Sequence, residues 1–164
     1  MLPEALVRVA ARVGGQLRER GETVGVAEGS CGGLISAALL AQPGASANYA
    51  GGAVIYTLAA GRAFLAGAVA APEGLRGASE RFARYLAESV RVRLDSVWGV
   101  GEGGAAGPTG NRYGDPAGHA WVAVAGAGAG STRHVLTGDD DREANMVAFA
   151  VAALELLDQC LGEA

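Results

Sequence analysis

Leu6, Val9, Ala10, Val13 and Leu17 recur three and four positions apart near the start of the chain. That spacing puts them on one face of a helix over residues 3–20, opened by Pro3 and stopped by Gly21. Val24, Val26 and small Ala27 then predict a buried strand over 23–28. Leu34, Ile35, Ala38 and Leu39 return to the helical period, so a helix is expected from Ser30 to about residue 41, where Gln42, Pro43 and Gly44 break it. An apolar run over 52–57 ends in Tyr56, residues 58–65 read as a helical turn, and 67–76 as a loop.

Ser79 opens a further helix, striped with Phe82, Leu86, Val90 and Leu94, while Arg81, Arg84, Glu88, Arg91 and Arg93 form its solvated face. Residues 97–102 are expected as a strand and 103–114 as a loop too rich in glycine for regular structure. Segments 118–125 and 133–136 predict an antiparallel hairpin with 126–130 as its turn. Asp139, Asp140 and Asp141 supply an acidic start for a helix over 142–161 that buries Met146, Phe149, Ala150, Ala153 and Leu157. Alternating helices and strands with a terminal hairpin imply an α/β fold, three layers α/β/α with a mixed sheet, in one domain over 1–164.

Composition sharpens this picture. Half of the 164 residues are hydrophobic and 18% are charged, as in a packed domain. The 27 glycines fit either close packing of the layers or codon bias in a GC-rich genome. A net charge of −4 without a basic run argues against a nucleic-acid partner. Two distant cysteines, Cys31 and Cys160, read as reduced thiols, and His119 and His134 make no metal-ligand spacing with them. Charges at Glu4, Arg8, Arg12, Arg18 and Glu19 exclude a signal peptide, and no run is long enough to span a membrane. A cytoplasmic protein with no membrane partner, no metal and no cofactor is expected.

The chemistry gathers at the turn between the first strand and the second helix, where free amides can hold an anion or a developing oxyanion. Ala27-Glu-Gly-Ser-Cys-Gly-Gly33 resembles the Ala-Glu-Ser-Cys-Thr-Gly-Gly turn of the CinA C-terminal domain family, whose enzymes are nicotinamide-nucleotide amidases. Pro43-Gly-Ala-Ser-Ala-Asn-Tyr49 and Gly51-Gly-Ala-Val-Ile-Tyr-Thr57 are similar to the family's Pro-Gly-Ser-Ser-aromatic stretch and its tyrosine-bearing strand. Gly104-Ala-Ala-Gly-Pro108, Pro116-Ala-Gly118 and Gly138-Asp139 resemble its Gly-Ile-Ala-Gly-Pro, Pro-Val-Gly and Gly-Asp-Arg segments, in the same order. The resemblance implies that fold, a small ligand like nicotinamide mononucleotide, and a homo-oligomer. It also implies ligand-binding roles for Glu28, Gly29, Ser30, Gly32, Gly33, Tyr56 and the loop residues Gly104, Ala105, Ala106 and Gly107.

Departures from the family pattern fall on its chemistry. Gly29 stands at the nucleophilic serine, and Tyr56-Thr-Leu-Ala-Ala-Gly61 replaces Tyr-Ser-Asn-Glu-Ala-Lys, whose lysine is the base. All thirteen basic residues are arginine, which stays protonated at neutral pH, so a Ser–Lys mechanism is excluded. The expectation is a non-catalytic nucleotide-binding, regulatory or assembly protein. The alternative is an amidohydrolase with a replacement mechanism, with Ser30, Cys31 and Tyr56 as catalytic candidates and His119 as a substitute base.

Locally, Ser30 reads as a helix cap, and Cys31 as either a buried packer or an activated thiol. Tyr56 is a ligand donor or a core residue with a wet tip, and Glu28 is expected to accept amides of the turn. Asp140 stands where the family has arginine, leaving Arg142 or Arg112 as substitutes.

Overall fold

The computed structural model describes residues 1–126 and 130–164. Helix α1 (Glu4–Arg20) follows Pro3 and ends on Gly21, whose φ of 63° suits a residue without a side chain. Strand β1 (Val24–Glu28), helix α2 (Leu34–Leu40), strand β2 (Tyr49–Val54), and helices α3 (Leu58–Leu65) and α4 (Glu80–Arg93) come next. Strands β3 (Trp98–Ala105), β4 (His119–Ala125) and β5 (Ser131–Leu136) precede the final helix α5 (Arg142–Glu163). Thr57, Ser79 and Asp141 cap α3, α4 and α5 through side-chain oxygens that accept the amides of Ala60, Phe82 and Ala144.

The strands form one mixed sheet in the order β2-β1-β3-β4-β5. β1 is parallel to both β2 and β3, while β3–β4 and β4–β5 are antiparallel. α1, α2 and α5 cover one face, where Val26, Val100 and Val122 pack with Leu17, Ile35, Phe149 and Leu157. α4 covers the other face, with Leu86 and Val90 against Ala27, Ile55 and Leu65 of α3. Here glycine sets the spacing: a Cβ on Gly99 or Gly101 would run into the carbonyl oxygens of Ala87 and Ala83. At these positions close packing explains the glycine.

Four expectations are corrected. α2 begins at Leu34 rather than Ser30, because Gly32 and Gly33 take φ values of 67° and 102° that end the turn before the helix starts. The strand expected over 52–57 lies at Tyr49–Val54, since β1 pairs with it from Val24↔Tyr49 to Glu28↔Val54. β3 continues to Ala105 through the stretch expected as loop, because Gly104 and Ala105 pair with Ala120 and His119 of β4. α5 is long and apolar enough to cross a membrane by length and composition, contrary to the expectation that no run is; 56% of its most apolar window is buried, as in a core helix. The hairpin is present as β4 and β5, and residues 127–129 of its expected turn lie outside the described residues.

Candidate functional site

Parallel pairing of β1 with β3 sets Glu28 beside Glu102, and both side chains are completely buried. Each carboxylate serves one half of the turn that follows β1. Oε2 of Glu102 accepts the amides of Gly29 (3.1 Å), Ser30 (2.9 Å) and Cys31 (2.9 Å), and its Oε1 accepts the Ser30 hydroxyl. Glu28 accepts the amides of Gly33 (3.0 Å), Ile35 (3.1 Å) and Ser36 (2.9 Å), and the Ser36 hydroxyl at 2.6 Å. Glu28 therefore satisfies the donors that open α2, as expected from sequence. Burial pushes the Glu102 carboxyl above its ordinary value, against the opposing pull of its Ser30 and Cys31 donors.

Gly29 lies hard against β3. Its amide also donates to the Glu102 carbonyl at 2.8 Å, and a Cβ at this position would lie 2.9 Å from that oxygen. A serine here would force β3 and the turn apart. The Ser30 side chain does not cap α2; it is spent on Glu102. Cys31 is fully buried, and burial together with the charges of Glu102 and Glu28 pushes its thiol pKa well up. A thiol held protonated in this way is not an activated nucleophile.

Above the turn opens a cavity of about 680 Å³. Of the residues expected at the site, Gly29, Ser30, Tyr56 and Gly104 line it. Glu28, Gly32, Gly33, Ala105, Ala106 and Gly107 do not. Gly32 faces α5, where a Cβ would meet Met146. The Ala106 and Gly107 carbonyls accept Asn145 Nδ2 (2.8 Å) and Arg142 Nη1 (2.6 Å), and Ala105 O accepts the Gly118 amide, so this loop is tied to α5 and β4. Tyr56 is well exposed, and its hydroxyl accepts Arg142 Nη2 at 3.3 Å. Arg142 thus bridges the strand end after β2 and the loop after β3, while Arg112 lines the cavity beside Tyr113.

His119 is not positioned as a base for the turn. It is buried, its Nε2 contacts the Ala78 carbonyl at 2.8 Å and its Nδ1 contacts Nε2 of His134 at 2.8 Å. With each Nε2 protonated, the pair forms a donor chain ending on that carbonyl, and both nitrogens of the His119 ring are engaged. Among the described residues, no group of three or more His, Cys, Asp or Glu could hold a metal.

Sequence reasoning missed Glu102 altogether. The available signal was one carboxylate among small and apolar neighbours in Trp98-Gly-Val-Gly-Glu-Gly-Gly-Ala105. An isolated carboxylate in a strand buried on both faces must have found donors.

A mixed α/β/α sheet with a glycine-rich turn over a cleft defines the class of domain. The model of the CinA C-terminal domain family matches residues 6–161, and the chain belongs to that family. A CinA-like protein of Salinibacter ruber is 38% identical over 151 residues, 91% of this chain and 36% of the relative. One from an Anaeromyxobacter species is 40% identical over 156 residues, 94% of this chain and 37% of the relative. The chain therefore spans little more than a third of the length of these relatives. The crystal structure of the competence/damage inducible protein CihA from Agrobacterium tumefaciens matches with a TM-score of 0.88 at 30% identity, covering 99% of this chain and 98% of that one. A CinA superfamily protein from Klebsiella pneumoniae matches with a TM-score of 0.85 at 27% identity, covering 97% and 99%.

Proposed function

We propose that this chain is a non-catalytic member of its family, a cytoplasmic, self-associating domain that binds a nucleotide-like small molecule without hydrolysing it. One observation carries the reading: the amides of Gly29, Ser30 and Cys31 all donate to the chain's own Glu102. Amide hydrolysis needs donors free to receive the oxyanion that develops in the transition state, and these three are engaged before any substrate arrives. Nucleophile and base are absent as well, with Gly29 at the serine position and no lysine in the chain. The cavity over the turn, walled by Phe82, Tyr85 and Leu86, supports retained binding.

A second reading rests on the contact between Ser30 and Glu102, because Ser30 lines the cavity and its hydroxyl donates to a buried carboxylate. That pair could serve as nucleophile and base in a replacement amidohydrolase. It is the weaker reading because the same carboxylate engages the turn's first three amides. Calorimetry and ammonia release on one purified sample with nicotinamide mononucleotide separate the two. Saturable binding without ammonia is expected. Ammonia in proportion to protein, abolished by Ser30→Ala, would establish the second reading.

A further inference from the structure

The segment between α3 and α4 forms one side of the cavity. Val69, Ala71 and Leu75 line the cavity from it, yet no residue from Ala66 to Gly77 is buried. Among the described residues, no backbone group of 69–78 bonds to the backbone of another element, and within the segment only the Leu75 amide meets a carbonyl, that of Pro72 at 3.3 Å. Side chains alone fix it to the rest of the molecule. From α4, Arg93 Nη2 donates to the Ala66 carbonyl and Arg81 Nη2 to that of Glu73 at 3.2 Å. In the other direction Arg76 reaches the loop after β3, its Nη1 2.7 Å from Asp115 Oδ2 and its guanidinium 5.0 Å from the Tyr113 ring centroid.

The two loops that meet at Arg76 are held differently. The loop after β3 is bonded to itself: Asn111 Oδ1 accepts the amides of Tyr113 (3.0 Å) and Asp115 (3.1 Å), and Asn111 Nδ2 donates to Asp115 Oδ2 (2.8 Å). The Asn111 amide also donates to the Asp115 carbonyl at 3.0 Å, so this loop is a fixed catch. The segment before α4 has no such frame. It bends at Gly67 and Gly74, with φ values of 80° and 65°, where a Cβ would meet nothing. Its far end is pinned, because Ala78 is buried and its carbonyl meets His119 Nε2 at 2.8 Å. A stretch without buried residues or backbone anchorage opens at low free-energy cost. We propose that residues 67–77 are a lid on the cleft, hinged at Gly67 and pinned at Ala78, and that Arg76 is the latch that holds it shut on Asp115 and Tyr113. Opening breaks the ion pair and the ring contact together, so the closed form is the resting state. The lid gates this side of the cavity whatever the cavity holds, and it stands apart from the ligand-binding reading.

Limited digestion of the intact chain with trypsin tests the lid. The chain has no lysine, so trypsin cuts only after arginine, and Arg76 can enter the protease only once it has left Asp115. Cleavage after Arg76 therefore reports the open population. Mass spectrometry times each cut in wild type, Asp115→Asn and Tyr113→Ala, with a peptide of residues 68–84 as the fully open reference. Wild type is expected to be cut after Arg76 at least about a hundredfold more slowly than the peptide. Asp115→Asn should be cut there about tenfold faster than wild type and Tyr113→Ala about threefold faster, with cleavage within α1 unchanged in both. Three results overturn the lid. One is cleavage of wild type after Arg76 at the rate of the peptide, which would mean that nothing holds the segment shut. Another is a rate left unchanged by both substitutions, which would mean that Arg76 is not the latch. The third is equal acceleration after Arg76 and within α1, the mark of general loosening instead of a local opening.

Discussion

Glu28 and Glu102 sit side by side on neighbouring parallel strands, equally buried, yet they support different halves of one turn. Glu28 serves the half that becomes helix, taking donors from Gly33, Ile35 and Ser36. Glu102 serves the half that faces the cavity, taking donors from Gly29, Ser30 and Cys31. The first arrangement is a scaffold that any protein with this turn could use. The second occupies the donors that a catalytic turn would hold in reserve. Identical side chains at matched register therefore have unlike consequences, decided by which amides each can reach.

Removing either carboxylate separates the two halves. Glu102→Ala should cost the most, about 4 kcal/mol in urea unfolding, because three buried amides and a hydroxyl lose their acceptor together. Glu28→Ala should cost less, about 2–3 kcal/mol, since two of its three amide partners are only partly buried and can turn to water. Equal losses would dissolve the distinction. Gly29→Ser should lose about 1–3 kcal/mol through its contact with the Glu102 carbonyl and release no ammonia from nicotinamide mononucleotide. Recovery of activity by that single change would mean that the amides are available after all.

Acid titration sharpens the comparison further. Burial raises the Glu102 carboxyl above the ordinary glutamate value of 4.5, so its contribution to stability is fully present below that value and is lost as pH rises through its raised range. Asp115 has the opposite sign. Its hydrogen bond from Arg76 lowers its pKa from an ordinary 3.8, and its contribution is present above that value and lost as pH falls through the lowered one. Stability of wild type relative to Glu102→Gln should therefore decline from acid toward neutral pH, while wild type relative to Asp115→Asn should gain. Unfolding curves across that range give both signs. The smallest expected effect is at Cys31, which should resist alkylation in the folded protein and react at the rate of an ordinary thiol once unfolded.

Much of this architecture is legible from side-chain period alone. α1, α4 and α5 carry apolar stripes and end signals strong enough to place them within a few residues, and β1 and β4 run largely apolar as buried strands do. Legibility fails where glycine replaces side chains. Side-chain pattern ends β3 at Glu102 because Gly103 and Gly104 carry none, although backbone pairing with Trp121 and Ala120 keeps them in the sheet. Sequence places the start of α2 too early because Ser30 has the chemistry of a cap, yet its hydroxyl is drawn to a carboxylate 72 positions away. The same distance hid the cradle itself. Residue type marked Gly29 and the absent lysine as departures, but only the pairing of β1 with β3 reveals what fills the turn.

The central claim is that the turn's first three amides are occupied from within, and amide proton resonances report it most directly. With the protein isotopically labelled, Gly29, Ser30 and Cys31 should give downfield, slowly exchanging signals that stay in place when inorganic phosphate is added and move together in Glu102→Gln. Amides that exchange at solvent rates, ignore Glu102→Gln and shift with phosphate would contradict it.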